Sequence, residues 1–193
     1  MPYKRVKGGV CAPKGFLGST AICGIKDGKP TRSDLALIYS ELPCISTGTF
    51  TSNRVKAAPV KVSQAHLRAL DIRAIVANSG NANACTGVPG IEDARTMAGV
   101  VAKGLGLKRR EVGVCSTGVI GLPLPMDRIA PGLEDLPHTL ARKNGTAVAK
   151  AIMTSDTTIK EIAITFDLDG TKVRIGACAK GAGMICPSMA TML

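Results

Sequence analysis

Apolar positions along the chain recur with two different periods, and the places where the period changes outline its elements. Residues 159–168 and 172–179 alternate apolar and polar, the pattern of half-buried strands, and Asp169-Gly170 between them is a hairpin turn. Between Gly90 and Gly106 the spacing becomes helical. Ile91, Ala94, Met97, Ala98, Val101 and Leu105 form one apolar face, and Gly106 is its natural stop. Apolar runs of strand length occupy residues 34–40 and 73–77. Residues 20–26 read as a strand closed by the Asp27-Gly28 turn, and the β-branched alternation of residues 44–51 reads as another. Residues 56–62 are a further strand candidate, with Ser63 placed to cap a short helix over 64–70. A short strand over 111–115, a helical turn over 126–129 and a helical stretch over 133–153, broken at Asn144-Gly145, complete the reading. Strands and helices interleave without repeat or linker, which predicts one mixed α/β (α+β) domain.

Composition narrows what this domain can be. Aromatic residues make up only 3%, so the core must be built from Val, Ile, Leu, Ala and Met. The formal charge is +11, but the basic residues are scattered. Their one tight cluster, Lys108-Arg109-Arg110, reads as a solvated turn. With no aromatic stacking platform and no recognition motif, no nucleic-acid partner is expected. Seven cysteines, an odd number with no C-x-x-C, read as small buried thiols in a reducing compartment. His66 and His138 have no ligand partner at i+4, so both are expected at the surface and no metal site is expected. The first residues contain no apolar leader, and no run of eighteen apolar residues occurs, so no membrane association is expected.

Four segments carry candidate chemistry. Residues 78–87, Asn-Ser-Gly-Asn-Ala-Asn-Ala-Cys-Thr-Gly, can hold a shape through side-chain amides rather than through an apolar core. This suits the wall of a site and equally suits a long structured turn. Ser116-Thr-Gly-Val-Ile-Gly121 follows a strand, where a hydroxyl and a backbone N–H can converge on an oxyanion. Residues 154–158 form a hydroxyl-rich loop. Residues 180–193 combine Gly181, Gly183 and Pro187 with Ala190-Thr191. A hydroxyl residue after a small one in such a loop is what backbone self-cleavage requires. Thr191 Oγ attacks the Ala190 carbonyl, the amide becomes an ester, and hydrolysis leaves an N-terminal Thr with its own amine as general base. A buried loop with an incidental threonine has the same composition.

Taken together and in order, several stretches resemble the ornithine acetyltransferase family of arginine biosynthesis. They are residues 50–60 (Phe-Thr-Ser-Asn-Arg-Val-Lys-Ala-Ala-Pro-Val), 78–87, 116–121 followed by Leu124-Pro-Met126, Met153-Thr-Ser-Asp-Thr157, and 180–193. The chain departs from the family pattern at Ser155, Ala182 and Ser188. The resemblance implies an α/β/β/α sandwich with mixed sheets, similar to that of N-terminal-nucleophile hydrolases. It implies a precursor cleaved between Ala190 and Thr191, with 1–190 as the α chain and 191–193 as the first residues of a β chain. Thr191 would be the nucleophile, Thr117 and Gly118 the oxyanion hole, and Thr154, Lys180 and Thr191 the substrate contacts. The implied reaction moves an acetyl group from N2-acetyl-L-ornithine to L-glutamate through an acetyl-Thr ester. No cofactor is implied, and acetyl-CoA would enter only as a co-substrate. The implied assembly is an α2β2 heterotetramer with the β chain in the cytoplasm. Two rivals share parts of this pattern: an aminopeptidase of the same self-processing fold, and a non-catalytic anion-binding domain.

Overall fold

A computed structural model describes residues 2–181 and 192–193. Its centre is a four-stranded sheet of β2 (Phe16–Ala21), β3 (Leu35–Ser40), β4 (Ala74–Asn81) and β5 (Val112–Val119), in that order. The first two pairings are antiparallel and β4 runs parallel to β5. A parallel pair needs a crossover, and here it is α2 (Gly87–Leu105). Helices α1 (Ala58–Leu67), α2 and α3 (Met126–Asp135) cover one face of this sheet. Strand alternation sends Leu35, Leu37, Val76, Val112 and Val114 into that layer, against Met97, Val101, Ile129 and Leu133, all fully or almost fully buried. The opposite alternation sends Ala36 and Ala77 onto α4 (Gly145–Ala151), where they meet Val148, Ala151 and Ile152. Small residues on this side let α4 lie close to the sheet.

The second sheet is antiparallel, with β1 (Lys4–Arg5), β6 (Lys160–Leu168) and β7 (Thr171–Ala179) in the order β1-β6-β7. It rests on a short 3-10 turn, Gly9–Cys11, and on α4. Contact is at backbone distance. A Cβ at Gly176 would come within 2.2 Å of the Gly9 carbonyl oxygen. The Arg142 and Arg174 guanidiniums both donate to the Ala12 carbonyl, at 2.8 and 3.2 Å. One mixed and one antiparallel sheet, with four α-helices among the described residues, give the α/β (α+β) class expected from the pattern.

The differences from the sequence reading have local causes. The strand expected over 20–26 belongs to β2, which ends at Ala21 because the Asp34 carboxylate gathers the Cys23 and Ile25 N–H groups, both at 2.7 Å, and turns the chain away from the ladder. Residues 44–51 form no strand. Ile45 is 92% exposed, so the alternation there has no buried face to pin it. Residues 58–62 are helical rather than extended, because Pro59 sits in the first turn, where its missing N–H costs nothing, and the same helix runs on to Leu67 through the part of 64–70 expected to be helical. Ser63 is therefore inside that helix and caps nothing. Its hydroxyl donates to the Val114 carbonyl (2.7 Å) and accepts the Val114 N–H (2.8 Å), riveting α1 to β5. Ser63→Ala leaves both buried Val114 groups without this partner. It should cost about 2 kcal/mol, read as a lower urea midpoint at unchanged m-value.

One histidine is placed differently from expectation, and the cysteines bear on the chemistry. His66 is half-buried rather than free at the surface, with Nδ1 2.8 Å from the Val112 carbonyl, while His138 is exposed. The six described cysteines are unpaired. Burial pushes the thiols of Cys11, Cys23, Cys115 and Cys178 up to about 11, which keeps them protonated and unreactive near neutral pH. No described helix is long and apolar enough to cross a membrane.

Candidate functional site

The end of β5 is shaped by the backbone of β4. In the parallel register Ser79 lies opposite Thr117 and Gly80 opposite Gly118, and the ladder shifts at Gly80/Asn81. Gly118 has φ +136, and a Cβ there would stand 2.2 Å from the Gly80 carbonyl carbon. Only glycine fits a strand end pressed this closely onto another backbone. Thr117 is buried at 7% exposure, and its hydroxyl forms no hydrogen bond with another described residue. Ser116 Oγ beside it is buried and likewise unpartnered among the described residues.

The Asn-rich segment is half strand and half loop, so it is a structured wall rather than a long turn. Asn78, Ser79, Asn81 and Asn83 are all buried. Asn78 Nδ2 donates to the Asn81 carbonyl at 2.8 Å. Asn81 Nδ2 reaches the Leu122 and Pro123 carbonyls at 3.2 and 3.0 Å. Asn83 Nδ2 donates to Gly90 O, and the Thr86 hydroxyl donates to Asn83 Oδ1. Amide side chains thus replace apolar packing beside Thr117 and fix the loop that follows β5.

A second group gathers around Asp156. Its side chain is 1% exposed. It accepts the Thr154 N–H at 3.1 Å, the Gly181 N–H, and the Lys160 ammonium at 2.6 Å. Burial alone would raise this carboxyl. The Lys160 ammonium and the two N–H donors outweigh it and bring the group down to about 2. Lys180, at the exit of β7, is buried at 5% exposure, and its ammonium has no hydrogen-bond partner among the described residues. Burial lowers its pKa, and the nearby Asp156 charge opposes that shift. A lysine of this kind is positioned to meet an anionic group or to depress the proton affinity of a neighbouring amine.

The two groups are bridged through the first strand of the wall. The Ser79 hydroxyl donates to the Ala151 carbonyl at 2.7 Å, and Arg32 reaches Met153 O at 2.7 Å and Ser79 Oγ at 3.4 Å. Thr117 and Gly118 therefore sit next to Ser79 and Gly80, while Thr154 and Lys180 are drawn together by Asp156. Ala190 and Thr191, the expected cleavage site and nucleophile, lie outside the described residues. Sequence reading assigned no role to Asp156, Arg32 or Ser79. An Asp two positions after Thr154 is a local-turn signal that could have flagged the first. The reach of Arg32 across 121 positions leaves no sequence trace. No group of three or more His, Cys, Asp or Glu side chains suited to a metal occurs among the described residues.

A protein-family model described as the ArgJ family matches residues 18–193. The arginine biosynthesis bifunctional protein ArgJ of Symbiobacterium thermophilum is 48% identical over 186 residues, covering 96% of this chain and 46% of its own length. The protein of the same name from Caldanaerobacter subterraneus subsp. tengcongensis is 49% identical over 181 residues, covering 94% of this chain and 44% of its own. The chain thus spans about half the length of these curated relatives. Among solved structures, the arginine biosynthesis bifunctional protein argJ of Bacillus halodurans superposes with a TM-score of 0.88 at 36% identity, covering 100% of this chain and 98% of that one. Ornithine acetyltransferase of Mycobacterium tuberculosis, complexed with ornithine, superposes with a TM-score of 0.84 at 37% identity, with full coverage of both chains.

Proposed function

The chain belongs to the ArgJ family, and from that membership we propose that it is the α part of an arginine-biosynthesis acetyltransferase that moves an acetyl group from N2-acetyl-L-ornithine to L-glutamate. The observation that carries this reading is the likeness, over the whole chain, to an ornithine acetyltransferase solved with ornithine. Lengths support the two-chain form. The curated relatives are about twice as long as this chain, whereas the solved chains match its length. A precursor split between Ala190 and Thr191 accounts for both.

In this reading the free Thr191 is nucleophile and base at once. Its Oγ attacks the acetyl carbonyl, and its α-amine takes the hydroxyl proton. The Thr117 hydroxyl and the Gly118 N–H receive the developing oxyanion, and each such donor contributes roughly 3 kcal/mol to the barrier reduction. The C–N bond then breaks, the proton passes to the departing amine, and ornithine leaves an acetyl-Thr ester. The glutamate amine attacks that ester, and Thr191 Oγ is released as N-acetylglutamate forms. Thr154 and Lys180 hold the substrate, and the buried Lys180 charge disfavours protonation of the Thr191 amine. The β chain supplies the remaining contacts in an α2β2 heterotetramer in the cytoplasm. Acetyl-CoA serves, where it is used, as a second acetyl donor and not as a bound cofactor.

Thr191→Ala in the full-length precursor tests the core of this reading. It should migrate as one unprocessed polypeptide on a denaturing gel and show no acetyl transfer. A processed variant would refute self-cleavage by Thr191. An enzyme that instead released amino acids from amino-acid amides would be the related aminopeptidase.

A further inference from the structure

Positive charge that is scattered in the sequence is gathered by the fold at one place. Lys7 and Lys14 flank the Gly9–Cys11 turn, Arg142 and Lys143 stand just before α4, and Lys172 and Arg174 lie on β7. These six side chains line two adjoining clefts, of about 670 and 400 Å³, which share Arg142 and Arg174. Among the described residues no acidic side chain lines either cleft. None of the six cations takes part in an ion pair, although every Asp and Glu of the chain is described. The Glu161 carboxylate beside the larger cleft accepts the Thr146 hydroxyl at 2.8 Å. Asp167, opposite Lys172 in the register, accepts the Gly170 N–H instead.

A cleft lined by one sign of charge focuses its field and draws counter-ions. The geometry at the centre adds a specific demand. The Arg142 and Arg174 guanidiniums donate to the same Ala12 carbonyl oxygen, so two like charges stand within about 6 Å of each other. Their remaining N–H groups have no partner among the described residues. Such a pair repels itself until an anion lies between the two, and guanidinium forks match phosphate oxygens in pairs. We propose that this cleft binds a small anion carrying two or more linked phosphoryl groups, with Arg142 and Arg174 at the centre and the four lysines around it. So many cations call for more negative charge than a single carboxylate or phosphate carries. The volume is that of a small-ligand site rather than of a track for a strand. No aromatic side chain lines it on which successive bases could stack. Arg174 is separated from Lys180 by roughly 20 Å of extended chain along β7, so the anion does not draw on the group around Asp156.

The test titrates the full-length protein with sodium tripolyphosphate, without added metal, by isothermal calorimetry. One tripolyphosphate per copy of residues 1–193 is expected, and inorganic phosphate should bind more weakly by about tenfold or more. The double variant Lys143→Glu/Lys172→Glu should weaken tripolyphosphate binding by about tenfold or more. Lys14→Glu alone gives a second reading in the same direction. All three lysines are exposed and make no side-chain hydrogen bond among the described residues, so these variants should melt with the wild type. A control of equal charge, Lys29→Glu/Lys61→Glu, changes exposed lysines outside both clefts and should bind within about twofold of the wild type. Equal weakening in the two double variants would make the effect one of overall charge and overturn the proposal. So would the absence of saturable binding to the full-length protein, or equal affinity for inorganic phosphate. A single-stranded oligonucleotide that binds the same lysines more tightly than tripolyphosphate would overturn it in favour of a nucleic-acid surface.

Discussion

Gly118→Ala is expected to lower the thermal midpoint by about 10 °C or more, the equivalent of roughly 3–5 kcal/mol in a chain of this size. Two terms add. The backbone at φ +136 disfavours any side chain, and the new Cβ would lie 2.2–2.5 Å from the Gly80 carbonyl group and the Asn81 nitrogen. Neither neighbour can rotate away, because both are main chain in a paired strand. β4 and β5 would have to separate where Thr117 is held. Gly121→Ala isolates the first term. Gly121 also has positive φ, at +85, but nothing lies within 4 Å of its Cβ position, so a loss of only about 1 kcal/mol is expected. Equal melting of the two variants, followed by circular dichroism, would mean that close strand contact is not what fixes Gly118.

The second large effect is predicted at Asp156. An asparagine of the same shape cannot accept from all of its donors, since its amide turns N–H toward at least one of Lys160, Thr154 and Gly181. In the proposed reaction the KM for N-acetylornithine should rise tenfold or more, because this carboxylate holds the Thr154 N–H and the Gly181 N–H that follows Lys180. A pH series gives an independent reading. The folded carboxyl lies at about 2 against an ordinary 3.8. Its contribution to stability is therefore complete above about pH 4 and is lost as pH falls through about 2, on the order of 2 kcal/mol in all. The urea midpoint of the wild type should fall across this window more steeply than that of Asp156→Asn. Parallel pH profiles, or an unchanged KM, would show that Asp156 does not organise the loop.

The parts of the fold that could be read in the sequence are those whose burial is periodic. The α2 face from Ile91 to Leu105, the β6–β7 hairpin and its Asp169-Gly170 turn stand where alternation and helical spacing put them. Pattern failed where a single residue overrides the preference of the residues around it. The Asp34 carboxylate stops β2 two residues before the apolar run ends, and Pro59 converts a Val-rich segment into a helix. The site divides in the same way. Thr117 and Gly118 can be picked out as candidates because a strand running into Thr-Gly is a local feature, and the close approach of Gly80 is why position 118 is a glycine. Arg32 and Ser79 were invisible because their partners, Met153 and Ala151, are more than seventy positions away. Lys180 was recognisable only through resemblance, since burial of a lone strand-end lysine follows from neighbours contributed by the rest of the fold.

The pairing of Lys4 with Thr165 has a consequence in time. The first strand of the chain finds its ladder partner some 160 positions later, so during synthesis it waits between about 8 and 32 s at ordinary elongation rates. The four-stranded sheet, complete at Val119, can form and pack its helices well before that. The β6–β7 hairpin and the β1 strand it captures thus assemble after the four-stranded sheet, and Lys180 acquires its setting only at that stage. The order of synthesis thus separates the two groups in time: Thr117 and Gly118 are framed with the first sheet, and Thr154, Asp156 and Lys180 only once the second has formed.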